Sequence, residues 1–142
     1  MAALAGLDVK CVHNAEYAAG LSTSLHRGLA AVPADADGVV VCLGDMPRVA
    51  PAVIDKLIAA FNPLEGRAIC VPTWHGKRGN PVLFAARFAA EIQEIAGDVG
   101  ARYLLGEYPE LVCEVEIDGI DAQGGIFMDV DTPEALKDLE SR

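Results

Sequence analysis

Residues 38–47, GVVVCLGDMP, join a short apolar run to a turn, and this stretch decides the expected fold. The run Gly38–Leu43 is apolar at nearly every position, which is typical of a strand buried on both faces of a sheet. Gly44 permits a sharp turn and Pro47 stops further strand pairing, so Asp45 is expected at the carboxyl end of a central strand. Open α/β sheets bind ligands at that edge. The alternative is an aspartate that only caps a turn.

Apolar runs of strand length alternate along the chain with stretches of helical periodicity. This alternation predicts an α/β fold with a doubly wound, mostly parallel sheet and helices on both faces. Further strands are expected at Asp8–His13, Arg67–Pro72 and Leu111–Ile117. Helices are expected along two apolar stripes, formed by Val53, Ile54, Leu57, Ile58 and Phe61 and by Phe84, Phe88, Ile92 and Ile95. Shorter helices are expected over 99–105 and after Thr132, and Pro51 fits a first helical turn.

The composition limits the classes of partner. The 142 residues carry a formal net charge of −10, which argues against nucleic acid because its binding depends on Lys and Arg neutralising phosphates. No apolar run approaches the roughly 18 residues that cross a bilayer, so no membrane partner is expected. The length suits a single domain over 1–142. The four cysteines, Cys11, Cys42, Cys70 and Cys113, are expected to be small buried side chains in a reducing cytoplasm.

A second group of carboxylates occurs in MDVDTPEAL, residues 128–136, where a short strand meets the last helix. Asp129 and Asp131 are hard oxygen ligands of the kind that suits Mg²⁺. The alternative is that Asp131 or Thr132 serves as a helix N-cap. Since a parallel strand delivers Asp45 to the carboxyl edge of the sheet, we expect at least one of the two aspartates to converge with it in a single crevice.

Two loops have compositions suited to close approach by a ligand. Residues 14–24 read NAEYAAGLSTS and residues 76–81 read GKRGNP. Glycines in each loop permit unusual backbone geometry, and polar side chains offer hydrogen bonds or positive charge; these residues are Gly20, Gly79, Ser24, Asn80, Lys77 and Arg78. The alternatives are ordinary turns, a serine helix cap and, for Arg102 in GDVGAR, a solvated helix residue.

In chain order, these motifs resemble the molybdenum cofactor cytidylyltransferase family across nearly the whole chain. The matching residues are Asn14, Gly20, Ser24-Leu25 with Gly28-Leu29, Leu43-Gly44-Asp45-Met46-Pro47, Gly79-Asn80-Pro81, Gly97-Asp98-Val99-Gly100-Ala101-Arg102 and Asp129-Val130-Asp131-Thr132-Pro133-Glu134. The resemblance implies a nucleotide-diphospho-sugar transferase-like fold, Mg²⁺ as cofactor, and transfer of a nucleoside monophosphate, CMP first, from a nucleoside triphosphate to molybdopterin with release of pyrophosphate.

The resemblance also implies roles for individual residues. Asp45 corresponds to the catalytic, metal-binding aspartate, with Asp129 or Asp131 completing the metal site. Gly20 and Ser24 would lie by the nucleotide. The acceptor substrate would be bound by Gly79, Asn80 and Arg102.

Members of that family begin with a strand and a Gly-rich loop whose Arg and Lys hold the triphosphate. This sequence opens on what resembles their third strand, so it is expected to be the C-terminal two-thirds of a family domain, truncated at its N-terminus. We therefore expect the chain alone to bind nucleoside triphosphate weakly or not at all and to show no measurable transfer. We also expect either self-association or a partner that supplies the segment. The alternatives are a nucleotidyltransferase with another nucleotide or acceptor, such as a sugar or isoprenoid phosphate, and a non-catalytic binding module.

Overall fold

The computed structural model describes residues 4–95, 100–127 and 132–141, in which helices and strands alternate along the chain. The strands are β1 Gly38–Val41, β2 Ile69–Trp74, β3 Lys77–Arg78, β4 Val82–Ala85 and β5 Val112–Glu116. The helices are α1 Leu21–Ala30, α2 Pro51–Ala60, α3 Ala89–Glu94, α4 Tyr103–Glu107, the single turn α5 Gly119–Asp121 and α6 Pro133–Glu140. The chain forms two compact units, Met1–Ala36 with Arg87–Leu104, and Asp37–Ala86 with Leu105–Arg142.

All five strands belong to one mixed sheet in the second unit. β4 pairs antiparallel with β1 on one side and with β2 on the other, while β5 pairs parallel with β2. The strands β1, β2 and β5 therefore run in the same direction, and β4 runs against them. β3 pairs with the end of β2, at Thr73 and Trp74, as the second arm of a tight hairpin.

The sheet of the second unit is covered on one face by α2. Val53 and Leu57 of this helix are fully buried, one against Ile117 and Ile126 and the other against strand residues. Pro51 stands in the first turn of α2, as expected, where its missing N–H would have had no intrahelical partner. The predicted apolar stripe is confirmed in part: Val53 and Leu57 face inward, but Ile58 is exposed and Phe61 follows the end of the helix at Ala60.

The first unit is built on α1 and α3. A ring nitrogen of His26 on α1 lies 2.9 Å from the carbonyl oxygen of Ile92 on α3, and the Gln93 side chain donates to the carbonyl of His26 at 3.2 Å. Ile92 is buried. These hydrogen bonds link α1 and α3.

The helix predicted from the Phe84, Phe88, Ile92 and Ile95 stripe is wrong in its first part. Val82–Ala85 is the buried strand β4, with Phe84 opposite both Val39 and Ile69, and the helix begins only at Ala89. The spacing of Phe84 and Phe88 matches a helical period, but a four-residue apolar run between two strand partners gains a full set of ladder hydrogen bonds as a strand.

The strand expected at Asp8–His13 is not formed either. These residues are exposed and none of them pairs with a described strand. Among the described strands β1 pairs only with β4, so it is a half-buried edge strand and the prediction of a buried, central strand before Asp45 is wrong. The predicted strands over 38–43, 67–72 and 111–117 are confirmed within one or two residues. The sheet is mixed rather than mostly parallel, since the strand inserted between β1 and β2 is antiparallel to both.

The expectation that all four cysteines are buried holds only in part. Cys70 is buried and Cys113 is half-buried, and these two stand opposite each other in the β2–β5 register. Burial, reinforced by the neighbouring Cys113, raises the pKa of the Cys70 thiol to about 12. Cys11 and Cys42 are exposed, so the prediction that they are buried, which was made from their apolar sequence neighbours, is wrong.

Replacing Gly76 by Ala is expected to lower the free energy of unfolding by about 1 kcal/mol, or about 3 °C in melting temperature. The two-residue β2–β3 loop has φ of 51° at His75 and 77° at Gly76, a left-handed pair typical of tight hairpins. An added Cβ at Gly76 would touch nothing within 4 Å, so the cost is conformational.

The matched variant is Gly76→Asn, because Asn tolerates the left-handed region better than Ala. Thermal melts of both variants provide the measurement. If the Ala variant were as stable as the unsubstituted chain, the left-handed backbone at Gly76 would not disfavour Ala, contrary to this prediction.

Candidate functional site

The candidate site lies in the second unit at the edge of the sheet where β1, β2 and β5 end. Because these strands run in the same direction, their carboxyl ends share that edge. Asp45 follows β1 in a turn in which the Met46 N–H donates to the Leu43 carbonyl at 3.2 Å. Asp45 is half-buried and Met46 is buried, so the turn is anchored by its methionine while the carboxylate keeps contact with solvent.

The antiparallel direction of β4 brings a second sequence motif to the same edge. Val82, the first residue of β4, is the register partner of Val41, the last residue of β1. Asn80, two residues before Val82, therefore lies at the edge to which β1 delivers Asp45. The Asn80–Pro81 peptide bond is cis, and the Asn80 side chain is half-buried.

A close backbone packing joins the loop of Asn80 to the segment before Met128. The Asn80 N–H donates to the Ile126 carbonyl at 3.0 Å, and the Gly79 N–H donates to the Pro72 carbonyl at 2.8 Å. A Cβ on Gly79 would lie 2.5 Å from the Ile126 carbonyl oxygen. Glycine is therefore required at this position by the close approach of two backbones.

The same segment also packs against the loop that follows Asp45. Residues Ala122–Ile126 form a π-helical turn, and a Cβ on Gly125 would lie 2.8 Å from the carbonyl oxygen of Arg48. The Asp45 loop, the Asn80 loop and the turn that ends at Ile126 thus meet through main-chain atoms. We call this three-way contact the glycine junction, formed by Gly79, Gly125, Ile126 and Arg48.

The donors at this edge suit a hard divalent cation that keeps part of its water shell. Asp45 offers a carboxylate and Asn80 an amide oxygen, and Mg²⁺ commonly binds one or two carboxylates together with substrate phosphates and water. Within residues 4–95, 100–127 and 132–141, no group of three or more His, Cys, Asp and Glu side chains is arranged to hold a metal.

Asp129 and Asp131 lie outside the described residues. Their neighbour Thr132 accepts a hydrogen bond from the Ala135 N–H at 3.1 Å and so caps α6. The alternative of an N-cap at this junction is confirmed for Thr132.

The predicted nucleotide residues Gly20 and Ser24 belong to the first unit. Gly20 precedes α1 with φ of 129° and ψ of 167°, which only glycine adopts readily, and it is buried. The Asn14 amide donates to the Ser24 hydroxyl and to the Thr23 hydroxyl, both at 2.9 Å. Ser24 is exposed inside the first turns of α1 and is not its cap.

Arg102, the other predicted substrate residue, is exposed in the turn before α4 and also belongs to the first unit. The predicted residues are therefore divided between the units. Asp45, Gly79 and Asn80 share one edge in the second unit, and Gly20, Ser24 and Arg102 belong to the first.

The sequence reasoning missed Ile126, whose carbonyl accepts the Asn80 N–H, and Gly125, which packs against the backbone of Arg48. The adjacent Gly124 and Gly125 were the available signal, because consecutive glycines mark positions of close backbone approach. A glycine pair is also an ordinary loop feature, so only the contact with Arg48 and Gly79 distinguishes it.

The chain belongs to the MobA-like NTP transferase domain family, which it matches over residues 1–112. It is similar to Rv0371c from Mycobacterium tuberculosis H37Rv, with 29% identity and a TM-score of 0.71 over 100% of this chain and 70% of that one. A structure of Rv0371c in complex with manganese has 30% identity and a TM-score of 0.67 over 84% of this chain and 60% of that chain. In sequence, it is 35% identical over 74 residues to the bifunctional protein GlmU of Micrococcus luteus, covering 51% of this chain and 15% of that protein.

These likenesses define a nucleotidyltransferase-type domain and confirm the α/β, nucleotide-diphospho-sugar transferase-like fold class. The chain spans a small part of GlmU and between 56% and 70% of the mycobacterial structures to which it is similar. No helix within the described residues is long and apolar enough to cross a membrane.

Proposed function

We propose that this domain takes part in nucleotidyl transfer, with Mg²⁺ bound by Asp45. A nucleoside monophosphate, with CMP as the preferred one, passes from a nucleoside triphosphate to a molybdopterin-type acceptor. The main support for this proposal is that Asp45 and Asn80 lie at the same edge of the sheet. Asp45 follows the end of β1, and Asn80 precedes the start of the antiparallel strand β4. The proposed metal ligand, Asp45, and the proposed acceptor-binding amide, Asn80, therefore lie at the same end of the sheet. Crevices at this end bind ligands in α/β sheets.

Asp129 and Asp131 are proposed as the source of the second carboxylate. Phe127 is the last described residue before them and follows Ile126, whose carbonyl accepts a hydrogen bond from the Asn80 N–H. In the sequence, both aspartates lie between the glycine junction and α6, which supports this proposal for either of them.

In the proposed reaction, an acceptor phosphate oxygen forms a bond to the α-phosphorus while the bond to pyrophosphate breaks. A bound Mg²⁺ would supply neutralisation of the charge that develops on the α-phosphate. The carboxylate of Asp45 would hold that cation, and Asn80 would orient the acceptor at the same edge of the β1–β4 pair. No protein nucleophile is required, because positioning and charge neutralisation carry most of phosphoryl-type transfer.

Nucleotidyl transfer to a different acceptor is the second candidate. The similarity to GlmU, and to Rv0371c bound to manganese, supports a domain of this class without specifying molybdopterin or Mg²⁺. The acceptor and the preferred metal are therefore variables of the experiment.

The test is a panel of transfer reactions with each of the four labelled nucleoside triphosphates, with Mg²⁺ or Mn²⁺, and with molybdopterin or a sugar phosphate as acceptor, run in the presence of a partner segment that supplies a Gly-rich loop with Arg and Lys. We expect pyrophosphate release that depends on the acceptor, highest with CTP and molybdopterin. Release that is highest with a sugar phosphate would select the second candidate. Absence of transfer across the panel would contradict both.

The single-domain organisation, the cytoplasmic location and the homo-oligomer or completing partner stay predictions. Four free cysteines among the described residues suit a reducing compartment, which supports the proposed location.

A further inference from the structure

The β2–β3 hairpin separates two neighbouring basic residues onto opposite faces of the sheet. Arg78 stands opposite Thr73, and Lys77 stands opposite Trp74. Directly opposed residues of an antiparallel pair point to the same face, and successive residues point to opposite faces. Lys77 therefore shares the face of Trp74, whereas Arg78 shares the face of Thr73.

The charge of Arg78 is engaged by a carboxylate within the sheet. Its Nε lies 3.0 Å from Glu114 Oε1 and its Nη2 lies 2.9 Å from the same oxygen. Glu114 is on β5, on the far side of β2. Arg78 thus links β3 to β5, the two strands that flank the end of β2, and Glu114 partly neutralises its charge.

The charge of Lys77 is placed differently. Its Nζ lies 4.6 Å from the centre of the Phe127 ring, in a cation–π contact. Among the described residues, no carboxylate lies within salt-bridge distance of Lys77. The ammonium is exposed and keeps its N–H donors for a further partner.

The ring that holds Lys77 is itself fixed. Phe127 is half-buried and packs against the cluster of Val53, Ile117, Ala122 and Ile126. It directly follows the carbonyl that accepts the Asn80 N–H. Lys77 is three residues before Asn80 in the connection between β2 and β4, and its cation lies over the ring of the residue that follows Ile126, the hydrogen-bond partner of Asn80.

We propose that Lys77, held over Phe127, binds a phosphate group at the edge of the sheet that carries Asp45 and Asn80. This inference rests on the proposed function, to which it adds a phosphate-binding residue. A chain with a formal net charge of −10 needs a local positive charge to hold a phosphate, and Lys77 supplies one that no described carboxylate neutralises. The phosphate belongs either to the triphosphate or to the acceptor.

The first experiment measures binding of inorganic pyrophosphate and inorganic phosphate in the presence of Mg²⁺. Trp74 is the single tryptophan of the chain and the register partner of Lys77, so its fluorescence reports on this hairpin. We expect saturable binding to the unsubstituted chain, at least tenfold weaker binding by Lys77→Gln, and binding by Lys77→Arg within about threefold of the original.

Two variants serve as matched controls. Arg78→Gln removes the neighbouring charge from the opposite face, and Lys137→Gln removes a lysine of α6; both are expected to bind like the original chain. Circular dichroism melts verify that each variant is folded. Phe127→Leu keeps the Lys77 charge and removes its ring contact, and it is expected to weaken binding several-fold.

The ligands identify the source of the phosphate. Loss confined to pyrophosphate and CTP would assign Lys77 to the triphosphate, and loss confined to inorganic phosphate would assign it to the acceptor. Unaltered binding by Lys77→Gln, an equal loss in Arg78→Gln, or no binding by the original chain would overturn the inference.

The outcomes for the two proposals are separable. If Lys77→Gln has the same KM for transfer and the same affinity for pyrophosphate as the unsubstituted chain, the inference about Lys77 is wrong. The proposed function would still stand in that case. Pyrophosphate binding that depends on Lys77, in a protein without transfer activity in any reaction of the panel, would keep the phosphate site and remove the proposed function.

Discussion

The Asp45→Asn variant is expected to show a kcat/KM for nucleotidyl transfer at least about a hundredfold below that of the unsubstituted domain. The amide has nearly the shape of the carboxylate but carries no charge, so it holds a divalent cation poorly. Because Asp45 is half-buried in the turn after β1, the substitution changes charge with little change in packing. The measurement is the initial rate of pyrophosphate release as a function of Mg²⁺ and Mn²⁺ concentration.

The control for this variant is Asp55→Asn, which removes an exposed carboxylate from α2 and is expected to leave the rate unchanged. Higher metal concentration should recover part of the activity of Asp45→Asn if the aspartate acts through the cation. A wild-type rate for Asp45→Asn at all metal concentrations would reduce Asp45 to a turn residue.

The Gly79→Ala variant is expected to lose about 3 kcal/mol of stability, which corresponds to roughly 10 °C in melting temperature. The added Cβ would lie 2.5 Å from the Ile126 carbonyl oxygen and 2.9 Å from the Ile126 Cβ, so the two backbones must separate. Separation also weakens the hydrogen bond from the Asn80 N–H to that carbonyl, which accounts for about 1 kcal/mol of the expected loss.

Thermal and urea unfolding measure this loss, and Gly106→Ala is the matched control. Gly106 lies in α4 with no atom within 4 Å of an added Cβ, so this substitution is expected to be neutral or slightly stabilising. Equal melting temperatures for Gly79→Ala and Gly106→Ala would show that the glycine junction yields easily. In that case Asn80 would not be held rigidly by Ile126.

The strand before Asp45 could be predicted because its apolar run is visible in the sequence itself, although the strand is half-buried and pairs only with β4 among the described residues, rather than being buried on both faces. An unbroken apolar run ending in glycine, aspartate and proline has few other solutions in an α/β chain. The same argument failed for Val82–Ala85, where the apolar spacing extends into Phe88 and Ile92. A helix and a buried strand are equally apolar there, and the partners that decide between them, β1 and β2, are distant in sequence.

The meeting of Asp45 and Asn80 could be predicted only through resemblance to a family. It depends on β4 entering the sheet against the direction of its neighbours, and strand direction is set by tertiary pairing rather than by local residues. The role of Gly125 and Ile126 was hidden for the same reason, since a carbonyl that accepts from Asn80 has no side-chain signature. The predicted contribution of Asp129 and Asp131 lies outside the described residues.

The connection between β2 and β4 is held at both of its ends. The two-residue hairpin loop fixes its start, the register of Val82 with Val41 fixes its end, and the Ile126 carbonyl holds Asn80 between them. An inserted or deleted residue would shift β4 by one position and turn its buried side chains to the other face. Related proteins that bind different acceptors through this connection should therefore differ in its residue types while keeping its length.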